Sequence, residues 1–116
     1  MFPAHSVAMP VLMLASVLFS PGTLDEWEKF KQSEPQSAEM YLFGVGEGYS
    51  WANATLESQG QRALFCEPAK LRLLSTNYFE IAAEEISRRQ KNHQLPASYT
   101  VELALLHGLQ RTFPCE

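Results

Sequence analysis

Prolines at 35, 68, 96 and 114 divide the 116-residue chain into segments whose apolar residues recur every three or four positions. Proline lacks a backbone donor and clashes with the preceding turn. It is tolerated in a helix's first turn and excluded from its interior. None of the segments shows sustained apolar–polar alternation, and β-branched residues are few. Together these features predict an all-α fold, a small bundle of four to five helices.

The first predicted helix is short. Thr23 and Glu26 stand at capping-box spacing, and Leu24, Trp27 and Phe30 share a face of "LDEWEKFK" before "SEPQS" breaks the chain. The second runs from about Ala38 to Leu56. The third runs from about Ala69 to Lys91, with Pro68 in its first turn and a stripe of Leu71, Leu74, Tyr78, Ile81, Ala82 and Ile86. The fourth runs from about Tyr99 to Thr112 behind a Ser98 cap. "VELALLHGL" is apolar around most of its circumference, which predicts the most buried helix.

The second segment holds three glycines, Gly44, Gly46 and Gly48, in "YLFGVGEGYSWAN". A dinucleotide-binding loop needs G-x-G-x-x-G between a strand and a helix. Here Tyr49 stands where the third glycine would be needed, no Walker lysine follows, and the flanks are helical in pattern. Nucleotide binding is set aside. Inside a helix each glycine costs about 1 kcal/mol relative to alanine, so close packing must offset them. At 100° per residue, Met40, Tyr41, Gly44, Val45, Gly48, Trp51, Ala52 and Leu56 form one apolar arc. Gly44, Gly48 and Trp51 are therefore expected to be helix-packing residues. Gly46 falls outside the arc, and close packing does not explain it.

The ends and the cysteines bear on compartment. Val7–Phe19 is an uncharged apolar run, too short for an ordinary membrane span and suited to an export signal, so residues 1–22 are expected to precede a mature domain of residues 23–116. The alternative is a buried first helix, for which Pro3 and Pro10 are poor choices. Two cysteines, Cys66 and Cys115, favour one disulfide if the chain is exported, and two reduced core cysteines if it is not. They are too far apart, and too isolated from CxxC or HxxxH, to suggest a metal site. A formal charge of −4 argues against nucleic acid as a partner.

Catalytic groupings are poor. His93 falls in a loop, His107 falls toward the polar side of the fourth helix, and no serine sits in G-x-S-x-G. No cofactor is expected, and the chain does not read as an enzyme. Glu85 and Arg89, four residues apart, read as an intrahelical ion pair or as a pair at a protein interface. With Lys91, Asn92, His93 and Gln94 in the polar connection "RRQKNHQLPAS", they are the candidate partner-binding residues.

"YLFGVGEGYSWAN", "FCEP" and "VELALLHGLQRTFPC" in this order resemble the Rap/Tai-type immunity proteins of type VI secretion, over about Met40 to Cys115. The combination of a glycine-spaced helix, F-C-x-P and a terminal F-P-C carries the resemblance. It implies a periplasmic all-α protein closed by a Cys66–Cys115 disulfide and commonly working as a homodimer. It also implies a partner, a peptidoglycan amidase injected by neighbouring cells, that the protein binds and blocks. Many relatives carry Gly-Tyr at the start of the glycine motif, where this chain has Gly44-Val45. The alternative is a periplasmic helical protein with a structural or chaperone-like role and no effector.

Overall fold

The computed structural model describes residues 22–68 and 72–116. The predicted export segment lies outside these residues, as do Ala69 and Leu71 of the predicted third helix. The described residues form four α-helices, α1 (Leu24–Ser33), α2 (Pro35–Ser58), α3 (Ser75–Lys91) and α4 (Val101–Thr112), and no strand. No helix among them is long and apolar enough to cross a membrane.

Local chemistry sets the helix ends. The expected capping box begins α1: Thr23 Oγ1 accepts from Glu26 N–H at 3.2 Å and Thr23 N–H donates back to Glu26 Oε1 at 3.3 Å. Pro35 both ends α1 and starts α2, because a proline at the first helical position has no donor to leave unpaired. The predicted start of the third helix is corrected. It begins at Ser75, where Asn77 Oδ1 accepts from Leu74 N–H at 2.8 Å, and Pro68 lies outside any helix. The predicted Ser98 cap is also corrected, since Thr100 Oγ1 accepts from Leu103 N–H at 3.3 Å and α4 starts at Val101.

α4 is the core helix that its composition predicts, with Val101, Ala104, Leu105, Gly108 and Leu109 buried. It runs antiparallel to α3. Gly108 lies against Ile81, and a Cβ built there would meet Ile81 Cγ2 at 2.6 Å and Ile81 O at 3.0 Å. Glycine thus sets how closely the two backbones approach. Trp27 of α1 is buried against Phe30 and Phe79, completing one apolar core.

The α2 face is the main correction. Ala38, Leu42, Gly46 and Asn53 are the buried positions, about a third of a turn from the predicted arc. Gly44 and Gly48 are exposed, and among the described residues nothing lies within 4 Å of a Cβ built at either. Trp51 is 74% exposed and Met40 61%. The packing glycine is Gly46, held against the ring of Tyr78. Tyr41 and Tyr49 set the phase of α2 by reaching inward to α4. Tyr41 donates to the Glu102 carboxylate, and Tyr49 donates to the Glu102 carbonyl at 2.8 Å.

Residues 61–68 cross the bundle without helical structure. Buried Asn53 satisfies their backbone, donating to Phe65 O at 2.9 Å and accepting from Leu64 N–H at 2.7 Å. Phe65 is 1% exposed and plugs the core. Cys66 and Cys115 are disulfide-bonded, and Cys66 N–H donates to Phe113 O at 2.8 Å.

Candidate functional site

Among the described residues, a buried polar assembly centres on Glu85. Its position on the inner side of α3 leaves it 2% exposed, so its charge must be matched locally. Arg89, one turn later, places Nε 2.8 Å from Oε2, and Arg88 places Nη2 3.0 Å from the same oxygen. Arg111 reaches across from α4, with Nε 2.9 Å from Oε1. Three guanidinium groups thus share one carboxylate, leaving a local excess of positive charge on a chain of formal charge −4.

Burial raises the Glu85 carboxyl, but hydrogen bonds from Arg111, Arg88 and Arg89 outweigh it and bring the pKa down to about 2. A carboxylate held so low is a poor proton acceptor near neutrality. His107 sits beside the cluster. Its Nδ1 lies 3.1 Å from Arg89 Nη2 and 2.8 Å from Tyr99 Oη, and its ring stacks on that of Tyr99. Arginine can only donate, so Nδ1 is the acceptor and the imidazole proton sits on Nε2. Burial, and then the Arg89 charge, lower the His107 pKa and keep the ring neutral. The Arg89 guanidinium also lies over the Tyr99 ring, 4.8 Å from its centroid. The arrangement locks α3 to α4 and leaves Arg88 and Arg111 side chains 32% and 53% exposed, available to an anionic group.

The predicted partner-binding residues divide in two. Glu85 and Arg89 face inward and hold the helices together, which corrects the reading of Glu85 as a direct contact. Lys91, Asn92, His93 and Gln94 are exposed at the end of α3. His93 adopts a left-handed backbone with φ 54°, and Gln94 N–H closes the turn on Arg89 O at 2.8 Å. Sequence reasoning missed Arg111 and Tyr99 as partners of this cluster. His107 and Arg111, one turn apart on α4, were the available signal. Among the described residues no group of histidine, cysteine and acidic side chains is arranged to hold a metal.

The sign of the pH response follows. The folded pKa of Glu85 is depressed, so its contribution is complete above the unfolded value of 4.5 and is lost as pH falls toward about 2. Neutral His107 adds a loss that begins as pH falls below its unfolded value of 6.5. Urea denaturation across this range should show wild-type stability falling at up to about 1.4 kcal/mol per pH unit for each proton taken up. Glu85→Gln should be less stable near neutrality and should lose the component between pH 4.5 and 2. An unchanged acid limb in that variant would remove Glu85 as its source.

Comparison with protein-family models, curated proteins and solved structures finds no match to this chain.

Proposed function

We propose that this chain is an extracytoplasmic immunity-type binding protein that blocks a type VI secretion peptidoglycan amidase by occluding its catalytic cleft. The observation that carries the reading is the joining of the two elements on which the Rap/Tai resemblance rests. "FCEP" and "FPC" lie side by side, bonded through Cys66–Cys115 and through Cys66 N–H to Phe113 O. A disulfide persists in an oxidising compartment, which agrees with export. The contact surface in this reading is the exposed turn from Lys91 to Pro96 with the half-exposed Arg88 and Arg111 beside it. These side chains stand on a rigid base, because Glu85 fixes both arginines.

The test is co-expression with amidases encoded beside this gene and directed to the periplasm. Growth should be restored, and the two proteins should form a stoichiometric complex. Lys91→Glu combined with Gln94→Glu should weaken that complex about tenfold while leaving the melting temperature unchanged. Failure of every neighbouring amidase to bind removes the proposal. The second reading, a periplasmic chaperone-like or structural protein, draws on the exposed apolar side chains Met40, Trp51 and Leu74. Binding of many unfolded clients, with no preference for one folded partner, would favour it.

A further inference from the structure

The buried carboxylate of Glu85 is over-supplied with cations. Arg88, Arg89 and Arg111 all donate to it, and among the described residues Arg88 and Arg111 pair with no other acid. One negative charge against three positive ones leaves an excess of two. Arginine is not deprotonated in a protein, so titration does not relieve that excess. A balanced pairing was within reach. Glu84 stands four residues before Arg88, the favourable order on a helix, yet Glu84 is exposed and Arg88 turns inward to Glu85.

Each guanidinium spends the same edge on the bundle. Nε and Nη2 of Arg88 and of Arg111 bond to Glu85, while those of Arg89 bond to Glu85 and His107. Nη1 of all three is bonded to nothing among the described residues. In a planar guanidinium Nη1 is the corner opposite that edge. In Arg88 and Arg111 it is therefore turned away from Glu85, on side chains 32% and 53% exposed.

We propose that Arg88 and Arg111, backed by the charge of Arg89, form a binding site for a small dianion of the phosphate class, a phosphoryl group carried by a soluble ligand. Charge selects the class. A phosphoryl group carries about −1.5 to −2 near neutrality and presents three acceptor oxygens, which matches the excess of two, whereas a single carboxylate would leave one charge unmatched. Glu85 supplies the preorganisation. It holds Arg88 from α3 and Arg111 from α4 at 3.0 and 2.9 Å, so less rotamer freedom is lost when an anion binds. The chain's formal charge of −4 opposes approach to an anionic surface, which favours a small ligand over a membrane. The inference goes beyond the amidase reading, because the ligand is a small anion and no effector enters the test.

Titration of the full chain with sodium phosphate tests it, at constant ionic strength and about pH 8, where the dianion predominates. Calorimetry and the NMR signals of the arginine Nε–H groups, all three held at Glu85, read the binding. Saturable one-to-one binding is expected, about tenfold tighter than that of acetate. The melting temperature should rise as the site fills. Arg88→Gln and Arg111→Gln should each weaken binding about fivefold or more. Arg111→Lys keeps the charge but loses the planar fork, and should weaken it less than Arg111→Gln. Lys91→Gln removes an exposed cation outside the cluster and should leave binding within about twofold of the wild type. Absence of saturable phosphate binding overturns the proposal. Acetate binding as tightly as phosphate would overturn it in favour of a carboxylate site, and an equal loss in Lys91→Gln in favour of diffuse attraction. Retention of the chain on vesicles containing phosphatidic acid, without binding of free phosphate, would overturn it in favour of a membrane surface.

Discussion

Replacing Gly46 with alanine should destabilise the protein by about 2 kcal/mol or more, against the usual direction for a glycine inside a helix. A Cβ at this position would fall 2.7 Å or less from three carbons of the Tyr78 ring. That ring cannot swing away freely. It is 1% exposed, packs edge-on to Phe43 at 6.0 Å, and donates its hydroxyl to Glu47. Overpacking of such a site costs about 3 kcal/mol, and the better helix propensity of alanine returns about 1 kcal/mol. The melting temperature should drop by roughly 10 °C for a domain of this size. A double-mutant cycle with Tyr78→Leu isolates the contact: alanine at 46 should be harmless, or even stabilising, once the ring is gone. If Gly46→Ala costs as much with leucine at 78 as with tyrosine, the Tyr78 ring is not the reason for glycine.

The three glycines of α2 show how far this fold can be read from its sequence. Their shared cost in a helix was legible, but the close packing expected at Gly44 and Gly48 is found only at Gly46. The assignment of that packing was not legible. Met40 and Trp51 were assumed to face the core because they are large and apolar, and that assumption turned the arc outward. The phase of α2 is set instead by Ala38, Leu42 and the inward tyrosines. Gly46 needs to be glycine because of Tyr78, thirty-two positions away, and no local spacing encodes that contact. The capping box at Thr23, the burial of α4 and the disulfide were legible because each rests on local chemistry or on a count of two cysteines.

The candidate site was legible by half for the same reason. The Glu85–Arg89 pair follows from helical spacing, but its burial and its third arginine come from α4. An intrahelical pair on a solvated face is worth a few tenths of a kcal/mol. The same pair beneath α4 becomes the anchor of a helix–helix contact, with Arg111 and His107 joined to it. The antiparallel register of α3 and α4 makes this possible, and Gly108 permits the close approach that the register needs.

Removing the disulfide by Cys66→Ser and Cys115→Ser should cost about 4 kcal/mol, the largest single effect expected. The bond closes a loop across a sequence separation of 49, and in the chain-entropy model most of its contribution comes from restricting the unfolded chain. That is a large share of the 5–15 kcal/mol typical of a domain. The folded state should lose order in one place. Residues 61–68 have no helical hydrogen bonds of their own, and besides backbone bonds at Gln61 and Cys66 they would be held to the bundle by side-chain ties: Ser50 to Glu67, Asn53 to Phe65 and Leu64, Gln110 to Leu64, and Arg62 to the Cys115 carbonyl. The last is anchored only while the C-terminal residues stay in place. Hydrogen exchange should therefore show Cys66 N–H, bonded to Phe113 O, losing protection before the amides of α3 and α4. Thiol titration of the native wild type should find both cysteines blocked until a reductant is added. Reduction of the wild type should reproduce the double variant in stability and in exchange, because both act through the same closed loop. Equal stability of the oxidised and reduced chains would mean that the packing of Phe65 and the Asn53 bonds hold this segment without the covalent link.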